Sequence, residues 1–228
     1  MKTAFIQAIE LLFSGNEQLH NIIAVTLRMG LCSSVLSLLL GTPVGIVLGS
    51  FSFPFRRALI VINRTLMGLP PVVCGLVCYM LFSGVGPLRH LKLLYTVKGM
   101  IIAQVILITP LIIGNVESYV SSIAPAVQET ARGLGLTSGR TMLLIINESH
   151  YQILSAYLFG LGRAFAEVGA ISMVGGAIAY KTNVMTTAIM NYSNMGNFTL
   201  ALALGIILLG ISFLLNILAA LIHWQLNR

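Results

Sequence analysis

Gln128-Glu129-Thr130-Ala131-Arg132-Gly133-Leu134-Gly135 is polar, glycine-bearing and compatible with helix, yet it lies between long runs of almost uncharged apolar residues. A bilayer-embedded chain has no packing reason to keep such a stretch. It has to reach out of the membrane, and its small side chains leave a surface that suits a partner's groove. The flanking apolar runs then read as spans, and the fold as an all-α polytopic membrane protein.

Composition points the same way. Hydrophobic residues make up 57% and charged residues 8%, against about 25% charged in a soluble domain. Mean hydropathy is +0.95. Aspartate is absent, and the six acids are Glu10, Glu17, Glu117, Glu129, Glu148 and Glu167, so each invites an explanation. The net charge of +7 comes from dispersed Lys and Arg that mostly flank apolar runs, which fits juxtamembrane anchoring better than nucleic acid. Residues 4–13 have an apolar core, but Glu10 interrupts it and no small-residue cleavage site follows, so no cleavable signal is expected. The stretch 1–13 reads as an interfacial amphipathic piece. One membrane domain over 1–228 suits the length.

A hydrocarbon core of ~30 Å needs about 20 apolar residues per helix. Five segments meet that: roughly 22–49, 59–82, 99–120, 151–174 and 198–224. Pro70-Pro71 break the second, Pro110 lies inside the third, and Trp224 anchors the fifth. Residues 184–194 are too short and polar to span and read as a short helix outside, or re-entrant at the surface. With 121–150 inside, the inner side collects Arg56, Arg57, Arg64, Arg132, Arg140 and Arg228. The outer side collects Lys2, Arg89, Lys92, Lys98 and Lys181. Six against five does not orient the chain. Glycines and prolines crowd the spans (Gly41, Pro43 and Gly45; Gly68, Pro70 and Pro71; Gly160, Gly162 and Gly169), either for close helix packing or as broken helices lining a path.

Intramembrane charges are costly, about 2.5–3.5 kcal/mol each on insertion scales, so they face the bundle interior or water. Arg163 and Glu167 stand at i and i+4 and can pair on one helix face, either to hold helices together or as a polar element of a gate. Arg28 has no acid one turn away; it either snorkels to the outer interface or presents positive charge to an anion. Thr186 and Thr187 offer hydroxyls to an oxyanion or cap a helix at the surface.

Other chemistries find little support. Residues 135–141 faintly resemble a phosphate loop, but the glycine spacing is one short and Arg140 replaces the lysine, so no ATP is expected here. The four His are scattered without metal-ligand spacing. Cys74 and Cys78, one turn apart, and Cys32 read as small apolar core residues. Without Asp there is no Ser/His/Asp set, so no catalytic residue is assigned.

Glu129-Thr130-Ala131, three residues, Gly135, nine residues and Ile145 resemble the E-A-A-x3-G-x9-I-x-L-P signature of ABC-importer permease subunits. Asn147 and Glu148 stand where Leu-Pro is usual. Residues up to Leu134 suit one short helix, Gly135 a sharp turn, and Thr137 the cap of a second helix. Thr26-Leu27 with Gly41-Thr42-Pro43-Val44-Gly45 resembles the first permease helix, and Leu69-Pro70-Pro71-Val72-Val73 the second. Residues 162–170 with Val174-Gly175-Gly176 are similar to the molybdate/tungstate branch, and 184–189 with Gly196-Asn197-Phe198 to its tungstate-type permeases.

The resemblance implies an oxyanion importer subunit in a prokaryotic plasma or inner membrane, working as a homodimer. A cytoplasmic ABC ATPase would grip 121–150 through Glu129, Thr130, Ala131, Arg132 and Gly135, and an extracytoplasmic binding protein would deliver tungstate or molybdate. Arg28, Arg163, Glu167, Thr186 and Thr187 would line the path or gate. No cofactor, metal or nucleic acid is implied. Two rival readings stand beside it: a secondary transporter driven by an ion gradient, for which Glu167 alone is thin support, and a membrane scaffold with no transport role.

Overall fold

In the computed structural model, residues 17–226 are described, with side-chain surroundings described through residue 217. The expected interfacial piece at 1–13 lies outside them. Eight α-helices and no strand occur among the described residues: α1 Glu17–Ser50, α2 Arg56–Met67, α3 Pro71–Phe82, α4 Val97–Gly133, α5 Ser138–Ala166, α6 Gly169–Gly175, α7 Met185–Asn194 and α8 Phe198–Leu226. Three are singly long and apolar enough to cross a membrane (α1, α4 and α8). The pairs α2 with α3 and α5 with α6 bring the number to five if each interrupted pair is one span.

Local chemistry sets several boundaries. Pro71 opens α3, where its missing N–H and fixed φ cost nothing. Asn197 caps α8, its Oδ1 accepting the Leu200 N–H at 3.2 Å. Two helices run past the apolar stretches read as spans. Helix α4 continues beyond Val120 through Pro125 to Gly133. Helix α5 begins at Ser138, ahead of Tyr151. Polar residues end a hydropathy window, but Gln, Glu, Ala and Arg are good helix formers, so the backbone continues where the apolar run stops. Pro43, Pro110 and Pro125 lie inside helices. Each removes one backbone bond, a loss that neighbouring groups in membrane helices offset.

The chain divides into two compact units, with breaks inside α1, α4 and α5. In the first, residues 17–32, 71–104 and 162–226 build two apolar clusters. Leu19 and Ile22 meet Met185, Ala188 and residues of α8 in one; Met29, Met100, Ile171 and Val184 form the other. Thr26 joins α1 to α7, its hydroxyl donating to the Ile22 carbonyl (2.6 Å) and accepting the Met185 N–H (3.0 Å). Gln104 donates to the Ala164 carbonyl at 2.8 Å. Cys74 and Cys78 are buried here, whereas Cys32 is exposed and not a core residue. Residues 184–194 hold the expected short helix, α7, and Met185, Thr186, Thr187 and Ala188 at its start are buried in this unit.

The second unit, residues 33–70 and 105–161, is held by a small-residue seam. Cβ atoms built on Gly41, Gly45 and Gly49 of α1 would stand 3.0, 2.8 and 2.6 Å from Ile112, Val116 and Val120 of α4. Equal steps of four on both helices mean that they run parallel, with backbones brought close as lipid-embedded helices without a hydrophobic driving force require. For these glycines close packing is what the structure shows. Asn63, buried on α2, donates to the Pro110 carbonyl at 3.1 Å.

Candidate functional site

The polar stretch is the last turns of α4, a tight reversal and the first turns of α5, not a free-standing short helix. The Leu136 N–H reaches back to the Ala131 carbonyl (2.9 Å) and the Gly135 N–H to that of Arg132 (3.0 Å). With φ +65° at Gly135 this is a Schellman ending, which only glycine enters without a Cβ penalty. Thr137 stands before α5, its carbonyl accepting the Thr141 N–H at 3.0 Å.

Glu129, Thr130, Arg132, Leu134 and Gly135 are exposed, whereas Ala131 is buried and fixes the rotation of the helix. Ile145, the later position of the sequence pattern, is buried as well. Gln128 ties this end of α4 to the end of α1 by donating to the Ser50 carbonyl at 2.8 Å. A cavity of about 320 Å³ lies beside these groups, lined by residues from 50–52, α4 and 136–145.

The charged pair of the fourth span sits differently from its helical reading. Helix α5 ends at Ala166, so Glu167 lies in the break before α6 rather than one turn up a continuous helix. The pair still forms, with Arg163 Nη2 3.5 Å from Glu167 Oε2. Glu167 Oε1 accepts the Ala170 N–H at 3.3 Å, and its backbone carbonyl accepts the Thr186 hydroxyl at 2.9 Å. Its side chain is 5% exposed against 40% for Arg163, so the acid is held and the guanidinium reaches outward.

Thr187 accepts the Val184 N–H at 3.0 Å and directs its one proton to Asn183 Oδ1 or the Val184 carbonyl, each 2.9 Å away. That is helix capping in a buried place, and both threonine protons are committed inside the fold. Arg163, Glu167 and Thr186 are thus brought together. Arg28 is exposed and joins none of them through an ion pair among the described residues. Gly169 packs on Val72, while a Cβ on Gly162 would meet nothing within 4 Å.

One cluster escaped the sequence reading. Glu117 of α4, with a side chain 7% exposed, stands 3.5 Å from Arg56 and 4.0 Å from Arg64 of α2. Arg56 Nε also donates to the Leu48 carbonyl at 2.5 Å. Arg56 and Arg64 are therefore partners of a buried acid rather than simple anchors. The available signal was a lone acid inside an apolar span, a position that demands compensation.

Comparison with known proteins adds the lineage. Residues 41–227 match the family model described as binding-protein-dependent transport system inner membrane component. The chain is 34% identical to a tungstate uptake system permease protein, TupB, of Peptoclostridium acidaminophilum, over 93% of each chain. It is 36% identical to the TupB of Campylobacter jejuni, over 93% of this chain and 89% of the relative. A sulfate transport system permease protein, CysW, of Synechococcus elongatus is 28% identical, over 94% and 77%. These matches join the apolar helices and the charged breaks in one conclusion: the chain belongs to the binding-protein-dependent transport system inner membrane components, the membrane permeases of ABC importers, a role that implies an ATPase and a substrate-binding partner.

Proposed function

We propose that this permease carries tungstate, with molybdate as the nearest competing cargo, and that it works as a homodimer in one domain over 1–228. The observation that carries the substrate is the identity of 34–36%, over nearly the whole chain, to two tungstate uptake permeases. A separate cytoplasmic subunit hydrolyses the ATP. Support for its docking place is the exposed row of Glu129, Thr130, Arg132 and Gly135 around a rigid Schellman turn, anchored by buried Ala131. Because that turn is the end of α4 and the start of α5, a pull on 121–150 acts on two long helices directly. Transport then follows as alternating access, with the anion released from an extracytoplasmic binding protein.

In the path, Arg163 is the group we assign to the anion, since its guanidinium is partly open while Glu167 is held. Arg28, exposed and without an ion pair among the described residues, supplies a second positive charge. Thr186 serves by holding the Glu167 carbonyl at the break and Thr187 by capping α7, since their protons are already used. The test is reconstitution in liposomes with the ATPase and the binding protein. ATP-dependent tungstate uptake exceeding that of molybdate and sulfate supports the reading. Preferential sulfate uptake moves the cargo to that of the CysW relative, and uptake driven by an ion gradient without ATP rejects the importer mechanism.

A further inference from the structure

Helix α2 holds three arginines in 12 residues, whereas α3, the other half of the interrupted pair, holds no charged residue. At 1.5 Å per residue α2 is about 18 Å long, well short of the ~30 Å of a hydrocarbon core. Its side chains sort onto three sides. Asn63 is buried against α4, where it donates to the Pro110 carbonyl. Arg57 and Arg64, seven positions apart, share a second side and are both exposed. Leu59, Ile62 and Leu66 lie opposite the arginines, and all three are exposed as well.

Packing against α4 sets how α2 lies. Arg56 and Arg64, about 12 Å apart along α2, both reach Glu117, while Asn63 reaches Pro110. A Cβ on Gly114 would meet Met67 at 2.5 Å. These contacts fall within about 10 Å of α4 and do not advance along it, so α2 crosses α4 rather than running beside it. Helix α4 is long and apolar enough to cross a membrane, and Glu117 lies near the polar end of its apolar run. A helix laid across it there follows the bilayer boundary. The chain leading into α2 agrees: Phe51, Phe53 and Phe55 are all exposed, and such aromatic side chains suit that boundary. Leu59, Ile62 and Leu66 are large, not the small residues that close approach of a second helix in lipid requires.

We propose that α2, with Phe51, Phe53 and Phe55, is a docking surface for anionic phospholipid. Acyl chains cover Leu59, Ile62 and Leu66, and the headgroup phosphate meets Arg57 and Arg64. Arg57 has no ion pair among the described residues, and Arg64 shares Glu117 with Arg56 at the longer distance of 4.0 Å, so both keep charge for a lipid. The charged half of the interrupted pair is then a surface anchor. That this surface faces the inner leaflet rests on docking of the ATPase at 121–150; the lipid binding itself does not.

The experiment uses the full-length chain without ATPase or binding protein. Phosphatidylglycerol and phosphatidylcholine are titrated into it in detergent, and bound lipid is counted by native mass spectrometry. Phosphatidylglycerol should bind more tightly. Arg57→Gln should weaken it about fivefold, and the joint change with Arg64→Gln further. Since Arg57 has no ion pair among the described residues, Arg57→Gln should leave the melting temperature without added lipid unchanged, separating loss of binding from loss of folding. Arg140→Gln, at an exposed arginine outside α2, is the control and should leave binding intact. Depth is read in liposomes on Ile62→Trp with Trp224→Phe, which leaves a single indole on the apolar stripe. Bromine high on the acyl chains should quench it more than bromine near the chain ends. No lipid preference, or one that the α2 variants leave intact or Arg140→Gln weakens equally, overturns the proposal. So does stronger quenching by deep bromine, which places α2 within the span, or no quenching, which means that a second copy covers the stripe.

Discussion

Glu117 of α4 and Arg56 of α2 form a 3.5 Å ion pair, and the same guanidinium donates to the Leu48 carbonyl near the end of α1. One buried acid thereby connects three helices of the second unit. Its second arginine, Arg64, is largely exposed and adds less because water screens it.

Removing Glu117 leaves Arg56 uncompensated in a largely buried place. Glu117→Ala should therefore lower unfolding stability by about 1–3 kcal/mol, discounted from the fully buried range because Arg56 keeps some exposure. Denaturation in detergent measures it, and Arg64→Ala should cost under about 1 kcal/mol. Equal effects of the two would mean that Arg56 is not the principal partner.

The seam along α1 predicts a graded penalty. Gly49→Ala places a Cβ 2.6 Å from Val120 and should destabilise by about 1–3 kcal/mol through overpacking. A Cβ on Gly210 of α8 meets nothing within 4 Å, so Gly210→Ala should be neutral or stabilising by up to about 1 kcal/mol. Melting temperatures of the two variants, compared at equal expression, check the contrast.

Gly135 combines φ +65° with open space around the missing Cβ. Gly135→Leu should cost only about 1–2 kcal/mol of backbone strain and leave the protein folded and inserted. If the turn docks against the ATPase, transport-linked ATP hydrolysis should nonetheless be lost. Normal uptake by this variant at normal expression would remove the turn from that role.

Arg163 and Glu167 give a test of structure against transport. Glu167→Gln removes the charge facing Arg163 and weakens the acceptor for the Ala170 N–H. It should therefore impair assembly more than the joint change Arg163→Met with Glu167→Met. The double variant should still assemble with the ATPase but import the anion poorly, since the open guanidinium is gone. Wild-type uptake by the double variant would leave Arg163 a purely structural residue.

The sequence by itself determined the class of fold, the five apolar segments and the reversal at Gly135. Each rests on a short-range property: hydropathy summed along one helix, or a backbone dihedral that glycine adopts without strain. It did not give where helices end, because hydropathy reports the solvent of a residue and not its hydrogen bonds; α4 runs on to Gly133 and α5 starts at Ser138. The Arg163–Glu167 pair was legible from spacing, yet its setting in a helix break was not. Only the tertiary structure decided that Glu117 answers Arg56 and that Thr186 answers the Glu167 carbonyl. Those outcomes depend on which helices meet and in what register. Such contacts join residues as far apart as Thr26 and Met185, 159 positions along the chain, and no local pattern in the chain encodes them.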